Sequence, residues 1–83
     1  MPKEVKLYCA DWCADCTHLR HYFRLNEVKF CEINIDETQG ALDEMKALNG
    51  GTDKVPTVVI GEIVLVEPNF EELNKALGIT GRN

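Results

Sequence analysis

Eighty-three residues make one domain, expected to span 1–83, and too few for a second, so the core is modest. Hydrophobic residues at 45% and charged residues at 28% are ordinary globular values, which excludes a disordered chain. A formal net charge of −5 lacks the basic face that phosphates require, which excludes a general nucleic-acid binder.

Val5-Lys6-Leu7-Tyr8 alternates apolar and polar residues and predicts a first strand. Asp11 and Trp12 break it, and a helix begins near Cys13, with Cys16, Leu19, Tyr22 and Phe23 on its apolar face and Asn26 at its end. Phe30, Ile33 and Ile35 predict a second strand, closed by a turn at Asp36 and Thr38. Ala41, Leu42, Met45 and Leu48 recur at intervals of three and four as a second amphipathic helix, which Asn49-Gly50-Gly51 stops. Val55 to Ile60 is a β-branched run interrupted by Pro56. Gly61-Glu62 then joins it to Ile63–Val66 as a two-residue hairpin. Pro68 ends that strand, and Phe70, Leu73, Ala76 and Leu77 form a short last helix.

The order βαβαββα opens with a βαβ unit, whose two strands are parallel. The closing hairpin extends the same sheet. The expected architecture is α/β, a four-stranded mixed sheet with helices on both faces.

Four cysteines stand at 9, 13, 16 and 31. The Met1 to Cys9 start lacks the apolar run of a signal peptide, and no stretch approaches the ~20 apolar residues of a membrane span. A cytoplasmic location without membrane contact is therefore expected, and in a reducing compartment cysteine pairs are more often catalytic or metal-binding than structural. Cys13-Ala14-Asp15-Cys16 falls where the first strand hands over to the first helix. There the first-turn N–H groups are unpaired and the helix carries partial positive charge, so a thiolate at Cys13 is favoured. Cys16 lies within disulfide reach, placed to attack a mixed disulfide on Cys13.

The pair also reads as half of a zinc site. A closed site needs two further ligands, from Cys9, Cys31, His18 and His21. Cys31 falls at the opposite end of the parallel pair, and the histidines would have to fold back onto their own helix start, so no metal ligands are assigned. Cys9 and Cys31 read as small buried strand residues, and His18 and His21 as solvated surface. Asp11 and Asp15 oppose the helix terminus by repelling a thiolate, which predicts a reducing couple. Trp12 reads as a half-buried aromatic, as a flat wall beside the reactive sulfur, or as both. Val55-Pro56 reaches the end of the sheet where Cys13 lies. Its proline either starts a strand in trans or forms a cis bond that turns the Val55 carbonyl and N–H outward, toward a peptide-like thiol.

Trp12-Cys13-Ala14-Asp15-Cys16 followed by Val55-Pro56-Thr57 resembles the glutaredoxin branch of the thioredoxin-like fold. Asn49-Gly50-Gly51 and Glu67-Pro68-Asn69 bring the pattern nearest to the mycoredoxin-type glutaredoxins, over nearly the whole chain. The resemblance implies a nucleophilic Cys13, a resolving Cys16, a cis Pro56 and a Val55 that offers backbone hydrogen bonds to a low-molecular-weight thiol. Two features depart from the glutathione-using members. Ala10 stands where they typically carry a lysine, and Glu67-Pro68-Asn69 replaces a Gly-Gly and following aspartates. Lys54, beside Val55, restores some positive charge. Thioredoxins proper carry Gly-Pro between the cysteines and are longer.

The expected activity is a dithiol thiol–disulfide oxidoreductase acting on protein disulfides or mixed disulfides. Glutathione or mycothiol would serve as cosubstrate, with no tightly bound cofactor and a monomeric chain. The rival readings are an electron carrier reduced by thioredoxin reductase, a flavoprotein, for a partner such as ribonucleotide reductase, and a zinc or iron–sulfur module.

Overall fold

Alternating apolar residues place β1 (Val5–Cys9) at the centre of a four-stranded sheet, ordered β2-β1-β3-β4, in the computed structural model, which describes residues 4–78. β2 (Cys31–Asn34) runs parallel to β1, with Leu7 opposite Glu32 and Cys9 opposite Asn34. β3 (Thr57–Ile60) lies antiparallel on the other side, with Tyr8 opposite Thr57. β4 (Ile63–Val66) closes the hairpin at the edge, with Thr57 opposite Val66. The element order and the mixed sheet agree with the sequence expectation.

The two-residue period of β1 sorts the helices between the faces. Cys9 meets Arg20 of α1 (Ala14–Leu25), so Val5, Leu7 and Cys9 face that helix. Tyr8 points the other way, toward Glu44 of α2 (Ala41–Leu48). α3 (Phe70–Leu77) joins α1 on its face: Tyr22 stacks on Phe70 at 4.9 Å between ring centroids, and its hydroxyl donates to Asn74. One apolar cluster runs from Leu7 and Ile60 through Leu19, Phe23, Met45 and Leu73.

The helix ends follow local chemistry. α1 ends at Asn26 as expected, but the left-handed residue after it is Glu27, with φ 57°. The Val28 N–H reaches the Phe23 carbonyl at 2.8 Å and the Glu27 N–H the Arg24 carbonyl at 3.1 Å, which occupies the terminal carbonyls. α2 ends in the same way over Gly50 and Gly51, whose φ values are 86° and 97°. α3 starts on a reciprocal pair in which Asn69 accepts from the Glu72 N–H and Glu72 accepts from the Asn69 N–H.

Several expectations need correction. Cys31 is exposed, because β2 is an edge strand and its Cys31 pairs with the half-exposed Lys6. Cys9 is buried as expected. Leu42, Leu48 and Phe70 remain partly exposed, since α2 buries only Ala41 and Met45, and α3 only Leu73. β3 begins at Thr57 and not at Val55, and Phe30 and Ile35 flank β2 as partly buried neighbours of the core. Among the described residues no helix is long and apolar enough to cross a membrane.

Candidate active site

Cys13 is the N-cap of α1, with φ −99° and ψ 108°, and its N–H donates to the Ala10 carbonyl at 3.2 Å. Serine, threonine or aspartate at this position would fold an oxygen back onto the first-turn N–H groups. A cysteine has none, and no side-chain cap is formed. Those N–H groups are left to favour a negatively charged sulfur. Cys13 is 8% exposed, and its thiol donates to the Val55 carbonyl at 3.7 Å.

Cys16, one turn deeper, is fully buried. Burial pushes its thiol well above the ordinary cysteine range. The adjacent Cys13 sulfur adds to the effect, a hydrogen bond from the Ala10 backbone opposes it, and nearby Cys9 raises it slightly. All four thiols are free.

The Val55-Pro56 bond is cis. The Val55 carbonyl is aimed at the Cys13 sulfur and not outward, which corrects that part of the expectation. Thr57, buried at the start of β3, fixes this segment by donating to the Lys54 carbonyl at 2.9 Å and accepting from Asn49 Nδ2 at 3.1 Å. Asn49 in turn accepts from the Thr52 N–H at 3.1 Å, so the loop between α2 and β3 is tied at both ends.

Two open clefts meet at Val55-Pro56. One, of about 330 Å³, is lined by Asp15, His18, Pro56, Glu67 and Phe70 among others. The other, of about 420 Å³, includes Trp12, Asp36, Asp53, Lys54, Val55 and Glu67. Trp12 is 69% exposed, which corrects the half-buried reading, and its Nε1 donates to Asp36 Oδ2 at 3.1 Å. The ring therefore stands as a cleft wall, held by its polar tip. The structure thus gathers Cys13, Cys16, Trp12, Lys54, Val55 and Pro56 at one end of the sheet. Asp15 is on the rim, whereas the Asp11 carboxylate accepts from Asn34 Nδ2 at 2.9 Å.

Sequence reasoning assigned no role to three groups here. Asn34 organises the loop after β2: its Oδ1 accepts the Asp36 and Glu37 N–H groups at 2.9 and 3.2 Å while its amide holds Asp11. An asparagine closing a strand two residues before an aspartate is a recognisable turn signal. Behind the cysteine pair, Cys9 donates to Glu32 at 3.2 Å and Arg20 bridges Glu32 at 2.6 Å. Burial first, and then the Glu32 hydrogen bond, push the Cys9 thiol up to about 11. Arg20 holds the Glu32 carboxyl below its usual range. Glu67, with φ 50°, lines both clefts and donates its N–H to the Pro56 carbonyl at 2.8 Å. Among the described residues no three of His, Cys, Asp and Glu converge as metal ligands.

Comparison with known proteins identifies the family and the fold. The glutaredoxin family model matches residues 5–65. A Mycobacterium tuberculosis protein that carries a glutaredoxin name is 28% identical over 74 residues, 88% of each chain. The crystal structure of a glutaredoxin from Archaeoglobus fulgidus superposes with a TM-score of 0.79 at 25% identity, covering 89% of this chain and 85% of that one. A thioredoxin-like protein superposes with a TM-score of 0.82 over 89% of this chain and 100% of its own; at 22% identity that likeness speaks to the fold alone.

Proposed function

The chain belongs to the glutaredoxin family of thiol–disulfide oxidoreductases, and from that membership we propose a dithiol mechanism in which Cys13 attacks and Cys16 resolves. The observation that carries this assignment is the unequal setting of the two sulfurs. Cys13 reaches the surface at a helix start beside the clefts, while Cys16 is sealed beneath it and held protonated by burial.

Cys13 loses its proton to solvent, and the thiolate turns from the Val55 carbonyl to the first-turn N–H groups. It attacks one sulfur of the substrate disulfide, forming a Cys13–substrate bond and expelling the other sulfur as a thiolate. Cys16 gives up its proton as it attacks Cys13 Sγ, and the bound substrate leaves as a thiol. Two electrons have then passed to the substrate, and a Cys13–Cys16 disulfide remains.

Trp12 offers the substrate a flat apolar wall, and Val55 with Pro56 the backbone edge beside the sulfur. A small thiol such as glutathione or mycothiol, or a flavoprotein reductase, restores the dithiol. The chemistry requires no tightly bound cofactor.

Substitution separates the roles. Cys13→Ser should abolish disulfide reduction, by at least about a thousandfold, because the attacking sulfur is lost. Cys16→Ser should stall as a mixed disulfide on Cys13, visible as the added substrate mass on the intact protein. Retained turnover in Cys13→Ser, or a substrate adduct on Cys16 in that variant, overturns the assignment.

A further inference from the structure

Glu67 occupies a left-handed backbone conformation that glycine takes without steric penalty, yet it presents a carboxylate to both clefts. Its N–H is fixed to the Pro56 carbonyl, so the residue is anchored to the segment whose Val55 carbonyl accepts from the Cys13 thiol. Three further carboxylates, Asp15, Asp36 and Asp53, line the two clefts against the one lysine, Lys54. The ion pair among the described residues is Arg20–Glu32, on none of these groups. Four carboxylates thus line the two clefts, and Lys54 is the one lysine that opposes them there. The clefts lie on both flanks of Val55-Pro56, with exposed Trp12 in one and half-exposed Phe70 in the other, an extent suited to a polypeptide segment more than to a single small thiol.

We propose that Glu67 is a selectivity residue that steers this site toward polypeptide disulfides flanked by lysine or arginine and away from carboxylate-bearing thiols. The inference rests on Cys13 being the attacking sulfur. A cationic flank on either side of the substrate cysteine lies in one cleft or the other, and in both it meets Glu67. A thiol carrying carboxylates meets repulsion at the same place, offset in one cleft by Lys54. Exposed unit charges a few ångströms apart in water change a rate by a few-fold each, and salt screens them over roughly 10 Å at 0.1 M.

The test uses the reduced full-length protein and follows Trp12, its one tryptophan, by stopped-flow fluorescence as Cys13 and Cys16 become oxidised. The probes are three forms of one cysteine peptide, flanked by lysines, serines or glutamates and linked through a disulfide to 2-mercaptoethanol, together with glutathione disulfide. The lysine form should react about tenfold faster than the glutamate form at 20 mM salt, with glutathione disulfide slower than the serine form. The advantage should shrink to about twofold at 0.5 M salt. Glu67→Gln should cut the lysine-to-glutamate ratio about threefold. Glu62→Gln, the same charge change at the far turn of the hairpin, should leave the ratio intact. Equal rates for the three peptides, an unaltered ratio in Glu67→Gln, or an equal loss in Glu62→Gln overturns the inference. Failure to reduce any of the four probes overturns the dithiol assignment itself.

Discussion

The two halves of α1 are built on opposite rules. Its second half is a packing device: Phe23 is fully buried, 5.0 Å from Phe30 and 5.6 Å from Tyr22 between ring centroids, and Tyr22 stacks on Phe70. Its first turn forgoes such contacts, with Ala14, Asp15, Thr17 and His18 all exposed around the two cysteines. The packed half holds the helix at a set position on the sheet. The open half leaves its first-turn N–H groups without a side-chain cap, next to Cys13. Packing and the proposed reactivity therefore sit roughly two to three helical turns apart, and substitutions should separate them.

The largest expected effect is at the packed end. Phe23→Ala should lower unfolding free energy by about 3–5 kcal/mol in urea titration, a large fraction of what a domain of this size possesses. The loss should be equal in the oxidised and reduced proteins. A difference above about 1 kcal/mol between them would mean that the packed half also sets the redox couple, and the comparison would break.

A second effect lies at the junction, where Cys9 sits beneath the cysteine pair. In the unfolded chain its thiol ionises at its ordinary value of 9.0, whereas in the folded protein burial and Glu32 hold it protonated to about 11. Its contribution to stability is thus fully present below pH 9 and is lost as pH rises toward 11. Buried Cys16 acts in the same direction in the reduced form alone, because the disulfide has no proton to lose. Thermal unfolding between pH 8 and 11 should fall more steeply for the reduced protein than for the oxidised one. Cys9→Ala should flatten both curves. Parallel wild-type curves would remove Cys16 from this account, and an unchanged slope in Cys9→Ala would remove Cys9.

The same contrast shows which features were legible in the sequence. Cys13 and Cys16 could be placed because strand, turn and helix start are local patterns, and Asn49-Gly50-Gly51 marks a helix end within three residues. The Val55-Pro56 edge was legible through family resemblance more than through periodicity. What escaped depends on contacts far apart in the chain. The exposure of Cys31 follows from β2 being an edge strand, which strand order decides. The hold of Asp36 on Trp12 spans 24 residues and needs the loop that Asn34 shapes. Glu67 was visible only as part of the Glu67-Pro68-Asn69 motif, and its place in both clefts emerged from the backbone turn after β4.

The smallest effect tests the open half alone. Asp15 stands in the first turn of α1 with its carboxylate unpaired among the described residues, whereas the Asp11 carboxylate is already engaged by Asn34. A carboxylate here stabilises the helix terminus but repels a thiolate on Cys13, so it destabilises the reduced dithiol relative to the disulfide. Asp15→Ala should therefore make the reduction potential less negative by about 10 mV, in equilibrium with a thiol–disulfide buffer at low salt, and the shift should fade as salt rises. Its urea stability should move by less than about 0.5 kcal/mol, because the side chain is exposed. An unchanged or more negative potential would show that the first turn does not tune the sulfur through charge. The thiolate would then be governed by the backbone N–H groups at the helix start.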